Sequence, residues 1–261
     1  MEGGSKTIER VGDILRALER GPEEGMTSGQ IATATGFDKA TAYRALVSLG
    51  RIGLVDRDTE SRRFRLGVYL FNLGAIAARR FSVLAHAREI VSHIARETGD
   101  TVFLSVRNRY ESVCVDCATG SYPIKAQTLT VGESVPLGVS AGGVAMLSTM
   151  SDADIRHAIQ YNAIEISKFH SVRADEILAQ VEAAQRRGYA HYAGQVVAGM
   201  GAVARPIRGP AGQGIAVISV TAVLDRLAPA RVQLIDTLLR EGIEKIEQRA
   251  LLIGNRLETI A

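Results

Sequence analysis

Twenty residues constrain this chain more than any others: GFDKATAYRALVSLGRIGLV, positions 36–55. Gly36 is a turn residue, and Asp38 can cap a helix start because its carboxylate accepts from the free N–H groups of a first turn. Ala42, Ala45, Leu46 and Leu49 recur at helical spacing and make one apolar face. Ala40, Tyr43 and Arg44 fall opposite, with Thr41 on the flank. Arg44 can offer two parallel donors to a guanine edge, while Tyr43 and Thr41 suit phosphate oxygens or a thymine methyl. The helix is expected to stop at Gly50, and Leu54-Val55 opens an extended segment. A small amphipathic surface helix is the competing reading, and the flanks decide between them.

Upstream, residues 28–35 (SGQIATAT) form a short helical stretch with Thr27 as cap and Ile31 as inward anchor. A turn containing Gly36 joins it to the next helix, as a helix-turn-helix requires. A first helix carries Ile8, Val11, Leu15 and Leu18 on one stripe, with Ile14 on its edge. Downstream, 55–57 and 63–66 read as two strands around the polar turn 58–61. Three helices and a two-stranded wing predict a winged helix-turn-helix over 1–67. Those residues hold eleven Lys/Arg and ten Asp/Glu, so placement matters more than the total. Lys39 and Arg44 lie in the recognition helix, and Arg57, Arg62, Arg63 and Arg65 lie in the wing, where arginines meet phosphates or a minor groove. Ser28 and Gln30, at the start of the preceding helix, complete the candidate DNA contacts.

The whole chain has 261 residues and a net charge of +3, which permits nucleic-acid binding without requiring it. No apolar run approaches the ~18 residues of a membrane span, and the start MEGGSKTIER lacks the h-region of a signal peptide. With two cysteines, the expectation is a cytoplasmic protein with reduced thiols and no membrane partner.

Beyond Gly67, residues 68–80 predict a linker helix whose Leu70, Leu73 and Ala77 are apolar positions to share between subunits. Residues 81–261 predict one α+β domain. Helix 81–98 is followed by β-branched runs at 101–106, 112–117 and 123–127, read as strands. Helices follow at 140–150, 152–161 and 173–187, strands at 201–207 and 214–221, and a long terminal helix at 229–256.

Three patterns in this region suggest chemistry. Gly138-Val-Ser140-Ala-Gly142 is a G-x-S-x-G between an extended approach and a helix, the setting of a nucleophile elbow. Asp152, Asp154, His157, His170 and His191 are available downstream as triad partners. Against a hydrolase stand the short, proline-interrupted approach and the lack of a second glycine cluster to donate to an oxyanion. Ser140, Ala141 and Gly142 at a helix start can instead receive a ligand carboxylate on unpaired N–H groups. Cys114-Val-Asp-Cys117 has CxxC spacing, but residues three apart on a regular strand point to opposite faces. Core cysteines are therefore the reading, and His86 and His93 are spaced too widely for one ion. No catalytic residue, cofactor or metal is expected.

Taken together, KATAYRALVSLGRIGLVDRD with FRLG, GESVPLGVSAGGVAML, and AQRRGYAHYAGQVVAGMGAVARPI give the chain its resemblance to the IclR family of bacterial transcriptional regulators. The resemblance implies a winged helix-turn-helix domain, a linker helix and a C-terminal GAF-like effector-binding domain. It also implies a homodimer or dimer of dimers on double-stranded operator DNA, modulated by a small organic acid. By the same resemblance the effector pocket comprises Ser140, Ala141, Gly142, Tyr192, Ala202, Ser219 and Thr221. Tyr192 stands where family members usually carry an acid, and Ala202 where some carry cysteine. Those departures argue against a glyoxylate- or pyruvate-sized ligand and for an aromatic or longer acid. The expected function is a ligand-responsive regulator of a catabolic operon; the alternative is a serine hydrolase using Ser140, fused to a DNA reader.

Overall fold

The computed structural model describes residues 5–79, 82–169, 172–193, 197–209 and 211–258, with backbone alone at 77–79, 82–86 and 250–258. His170, Gly194, Gln195 and the side chains of Ala77 and His86, all considered above, lie outside the described residues. The chain divides into two compact units, Met1–Phe81 and Ser82–Ala261. The linker helix belongs to the first.

In that unit, α1 (Lys6–Glu19), α2 (Ser28–Thr35) and α3 (Lys39–Arg51) precede an antiparallel wing of β1 (Val55–Arg57) and β2 (Phe64–Leu66), then α4 (Val68–Arg79). The starts of α2 and α3 are each fixed by a side-chain cap. Thr27 and Gln30 form a reciprocal capping box on α2, and Gly36 leaves α2 at a left-handed φ of 72°. The Asp38 carboxylate accepts from Thr41 N–H at 2.8 Å and fixes the start of α3. Those bonds hold the Asp38 carboxyl below its usual range, so the cap is intact above the ordinary carboxylate pKa and is lost only in acid. The core joins Ile14, Ile31, Leu46, Leu49, Val55 and Phe64. Burying side chains of this size contributes about 1.5–3 kcal/mol each.

Two expectations shift here. Ile14, placed on the edge of the α1 stripe, is fully buried at its centre, whereas Ile8 is 72% exposed. Gly50 does not end α3; the turn comes at Gly53, with φ 73°. The return from the wing passes so close that a Cβ on Gly67 would lie 2.2 Å from the Gly53 carbonyl oxygen.

The second unit is built on a six-stranded antiparallel sheet. Its elements are α5 (Ser82–Thr98), β3 (Thr101–Asn108), β4 (Glu111–Thr119), β5 (Ser134–Pro136), α6 (Ala141–Leu147), α7 (Asp152–Tyr161), α8 (Ala163–Ile166), α9 (Ala174–Arg187), β6 (Ala190–Ala193), β7 (Met200–Arg208), β8 (Gly214–Val223) and α10 (Pro229–Glu258). The strand order is β5-β4-β3-β8-β7-β6. Period-two alternation sorts the two faces. Val102, Leu104, Ile218 and Val220 pack in one core with Val91 and Ile94 of α5 and Ile235 and Leu239 of α10. On the other face, Val217, Ala204 and Tyr192 join α6, α7 and α9. Asp100, just before β3, is buried and accepts from Arg226 and Arg231 at 2.8 Å each.

This is the α+β architecture expected: winged helix-turn-helix, linker helix and GAF-like domain. Several elements differ in detail. Residues 123–127 are not a strand; Ile124 is exposed there, and the outer edge of β4 is taken by β5, whose Val135 is buried. Strand β6 and the short α8 had no counterpart in the sequence reading. The cysteine argument also changes. Cys117 is paired with Phe103 and Cys114 with Ser105, because a bulge at Val115 absorbs one residue. Both cysteines therefore share one face of β4, contrary to the regular-strand expectation. Burial still pushes both thiols up, Cys114 to about 11, which disfavours the thiolate needed for metal or redox chemistry.

Candidate functional site

The outer side of α3 presents Lys39, Tyr43 and Arg44 to solvent, with Thr41 half-buried beside them. Among the described residues Arg44 makes a single long side-chain hydrogen bond, Nη2 to Thr41 Oγ1 at 3.4 Å, so its guanidinium is available to a partner. Arg57 of the wing lies 6.0 Å from the Tyr43 ring centroid and 5.5 Å from that of Phe64, which draws wing and recognition helix together. The remaining wing arginines divide by role. Arg63 donates to the Gly25 carbonyl at 2.8 Å and Arg65 to the Glu24 carbonyl at 3.1 Å, tying β2 to the α1–α2 connection. Arg62 sits at the wing tip with φ 56°, exposed and without a described partner. Ser28 is half-buried in the first turn of α2, and the Gln30 carbonyl oxygen is occupied by Thr27. Gln30 thus acts first as a cap, leaving its amide N–H₂ for any outside contact.

In the second unit a cavity of about 230 Å³ lies between the start of α6 and the sheet. All seven residues anticipated for an effector line it. Register explains how residues so distant in sequence meet: Tyr192 pairs with Ala202, and Ala202 with Thr221, forming one cross-strand row on the α6 face. Ser219 enters from the adjacent row, opposite Phe103. Ser140 is the N-cap of α6, its Oγ accepting from Gly143 N–H at 3.1 Å. The N–H groups of Ala141 and Gly142 have no hydrogen-bond partner among the described residues. Tyr192 is buried and donates its hydroxyl to the Gly138 carbonyl at 2.7 Å. Burial, with Glu176 adding to it, pushes its phenol well above the usual range, so it stays a neutral donor.

Sequence reasoning overlooked part of this lining. Phe103 and Ser105 of β3, Ser112 of β4, Phe169 and Glu133 also face the cavity. Alternation on β3 could have indicated 103 and 105 once Ser219 and Thr221 were chosen. Glu133 had no such signal, because it arrives from an irregular loop held to β4 by Cys114 N–H donating to its carbonyl at 2.9 Å. Among the described residues, no Lys, Arg or His lines the cavity. Arg205 is engaged with Asp236, and Arg107 lies in a separate cleft with His157 and Tyr161.

Both units match known families. The family described as bacterial transcriptional regulator IclR C-terminal matches residues 75–248, and the IclR helix-turn-helix domain matches residues 7–59. The chain belongs to the IclR family. Among its relatives is the HTH-type transcriptional regulator BhcR of Paracoccus denitrificans, 26% identical over 94% of this chain and 87% of that protein. HTH-type transcriptional repressor AllR of Escherichia coli is 25% identical over 87% of this chain and 84% of its own length. The crystal structure of an IclR transcriptional regulator from Alicyclobacillus acidocaldarius superposes with a TM-score of 0.79 at 25% identity, covering 94% of this chain and 99% of that one. An IclR homologue from Microbacterium hydrocarbonoxydans, complexed with 4-hydroxybenzoate, gives 0.72 at 20% identity over 93% and 98%.

As an IclR-family member, the protein is a DNA-binding transcriptional regulator and not an enzyme. This membership and the geometry of Ser140 do not favour the hydrolase alternative. Ser140 Oγ is used as a helix cap, and among the described residues no histidine lines its cavity. His157 packs with Tyr110, ring centroids 5.3 Å apart, in the other cleft. His191 Nε2 is buried without a partner, and burial lowers its pKa. Among the described residues no cluster of three or more His, Cys, Asp or Glu could hold a metal, and no helix is long and apolar enough to cross a membrane.

Proposed function

We propose that this IclR-family regulator controls a catabolic operon by binding a small ring-bearing organic acid in the α6 cavity. The observation that carries this reading is the lining itself: mainly apolar side chains, a few hydroxyls, and the two free N–H groups of Ala141 and Gly142. Backbone donors at a helix start can receive a carboxylate without a cationic side chain. Ser219 and Thr221 can add hydrogen bonds, and the Tyr192 and Phe103 rings supply flat apolar walls. The homologue holding 4-hydroxybenzoate supports an aromatic acid at the level of the shared fold. Calorimetry against benzoate-type acids and against glyoxylate and pyruvate tests it. Benzoate-type acids should bind more tightly, and Tyr192→Ala should reduce that affinity more than tenfold through loss of the ring wall. Tyr192→Phe, which keeps the ring and removes only the donor to Gly138, should change affinity by a few-fold at most. Tight glyoxylate or pyruvate binding that Tyr192→Ala leaves intact would overturn the assignment.

The DNA-binding side of the proposal places Lys39, Thr41, Tyr43 and Arg44 in a major groove and the Arg57–Arg62 wing against backbone, with Ser28 and Gln30 at the first-turn phosphates. One recognition helix reads too few base pairs for an operator, so two half-sites and two subunits are needed. Helix α4 supports a homodimer, or a dimer of dimers: Val68, Phe71 and Ile76 are 60–75% exposed, more than the anticipated Leu70, which is half-buried, and Leu73. Light scattering should find no monomer at micromolar concentration, and Phe71→Ser should shift the equilibrium toward monomer. A monomer with full operator affinity would refute the paired arrangement.

A further inference from the structure

We infer that the second unit carries a second ligand site, a cleft at one end of the sheet that takes a nucleoside monophosphate, with the phosphate on Arg107 and Arg109 and the base against Tyr161. The cleft has a volume of about 740 Å³, within the range of small-molecule sites. Among the described residues it shares no lining side chain with the α6 cavity, and it does not depend on the aromatic-acid reading of that cavity. Sheet register builds one wall. β3 and β8 are antiparallel neighbours, and Val106 near the end of β3 pairs with Ala216 near the start of β8. The β3–β4 turn with Arg109 and the β7–β8 turn with Gln213 therefore lie side by side. Gly214 N–H donates to Thr149 Oγ1 at 2.8 Å and ties the second turn to the segment after α6. The other wall is one face of α7, where Asp154, His157 and Tyr161 recur at helical spacing.

The lining sets the chemistry of the ligand. Arg107 is half-buried and Arg109 exposed, and among the described residues neither guanidinium has a hydrogen-bond or ion-pair partner. Asp154 is the one carboxylate among the described lining residues, and its Oδ2 already accepts from Ser151 Oγ at 2.6 Å. The cleft is therefore cationic. Two guanidinium groups hold more N–H donors than one carboxylate can satisfy, whereas a phosphate monoester brings three terminal oxygens and nearly two charges. Tyr110 packs on both His157 and Tyr161, with ring centroids 5.3 and 5.1 Å apart, which holds the aromatic group in place. Tyr161 is nevertheless 65% exposed, so it offers a stacking surface to a planar base. Gln213 Oε1 lines the same cleft and is buried without a hydrogen-bond partner among the described residues. A buried acceptor is costly to leave unpaired, and the exocyclic amine of a base supplies the missing donor. A nucleotide carries all three groups: phosphate, planar ring and amine.

Titration calorimetry on the full chain tests this with adenosine and cytidine monophosphate and with the fragments ribose 5-phosphate, adenosine and inorganic phosphate. At least one nucleotide should bind about tenfold or more tightly than any fragment. Arg109 stands at φ 53°, in the left-handed region that glycine occupies readily, so Arg109→Gly removes the guanidinium without straining the turn. That variant should weaken nucleotide binding about tenfold or more, the scale of charge-assisted hydrogen bonds, while operator affinity and the thermal midpoint stay unchanged. Tyr161→Ala should bring nucleotide affinity down to that of ribose 5-phosphate and leave ribose 5-phosphate binding as it was. Nucleotide binding that survives both Arg109→Gly and Arg107→Ala would belong to the arginines of the winged unit and would overturn the site. So would any fragment that matches the nucleotides, or no binding of either nucleotide at millimolar concentration.

Discussion

Arg44→Ala should weaken binding to the operator by about 1–3 kcal/mol, roughly 5- to 150-fold, and leave affinity for random duplex nearly unchanged. Among the described residues the exposed guanidinium has only a 3.4 Å hydrogen bond to Thr41 Oγ1, so its removal opens no hole and disturbs no cap. Its contribution is then made only to a base edge. Arg62 predicts the complementary result. It is exposed at the wing tip and free of described partners, so Arg62→Ala should weaken all duplexes alike and reduce the salt slope by about one. Arg63→Ala should add a structural penalty, because it also removes the bond to the Gly25 carbonyl. Fluorescence anisotropy on operator and scrambled duplexes, over a range of salt, separates the three. An equal loss for Arg44→Ala on both DNAs would contradict base reading by that residue.

The winged unit was legible because its signals are local. Thr27, Gly36 and Asp38 act within a turn of where they stand, and the structure places caps and a left-handed turn at each. Ile8 and Ile14 show the limit of periodicity. A stripe drawn along one helix has an edge, and only the position of the neighbouring helices decides whether the edge or the centre is buried.

The second unit was harder, because its cavity is assembled across the sheet. Family resemblance brought Tyr192, Ala202, Ser219 and Thr221 together, whereas the cross-strand row that joins them depends on pairings between strands the sequence only partly delimits. The CxxC pair was placed on opposite faces by a rule that assumes an unbroken strand, and one bulge at Val115 reversed the outcome. Glu133 had no periodic neighbour at all. Its place follows from a backbone bond to Cys114 in a stretch that belongs to no strand.

Gly138→Ala should destabilise the second unit by about 2–5 kcal/mol and abolish stabilisation by effector acids. Two separate terms add. Gly138 has φ 101°, a conformation that an L side chain adopts only with strain. A Cβ there would also lie 2.9 Å from Ile177 Cγ2 and 3.0 Å from its Cδ1, on a fully buried side chain of α9 with no room to retreat. Relief by moving the corner is costly in a third way. The Gly138 carbonyl holds the Tyr192 hydroxyl, and a Cβ on Gly143, in the first turn of α6, would come within 2.8 Å of Gly138 N. Any shift therefore moves the N–H groups of Ala141 and Gly142 away from a bound carboxylate. Gly212→Ala supplies the comparison. It has φ 79° with nothing within 4 Å of its Cβ, so it carries the backbone term alone. Urea denaturation of both variants, with and without a benzoate-type acid, separates strain from packing. If Gly138→Ala costs no more than Gly212→Ala, the corner is not the tightly packed support for the α6 start described above.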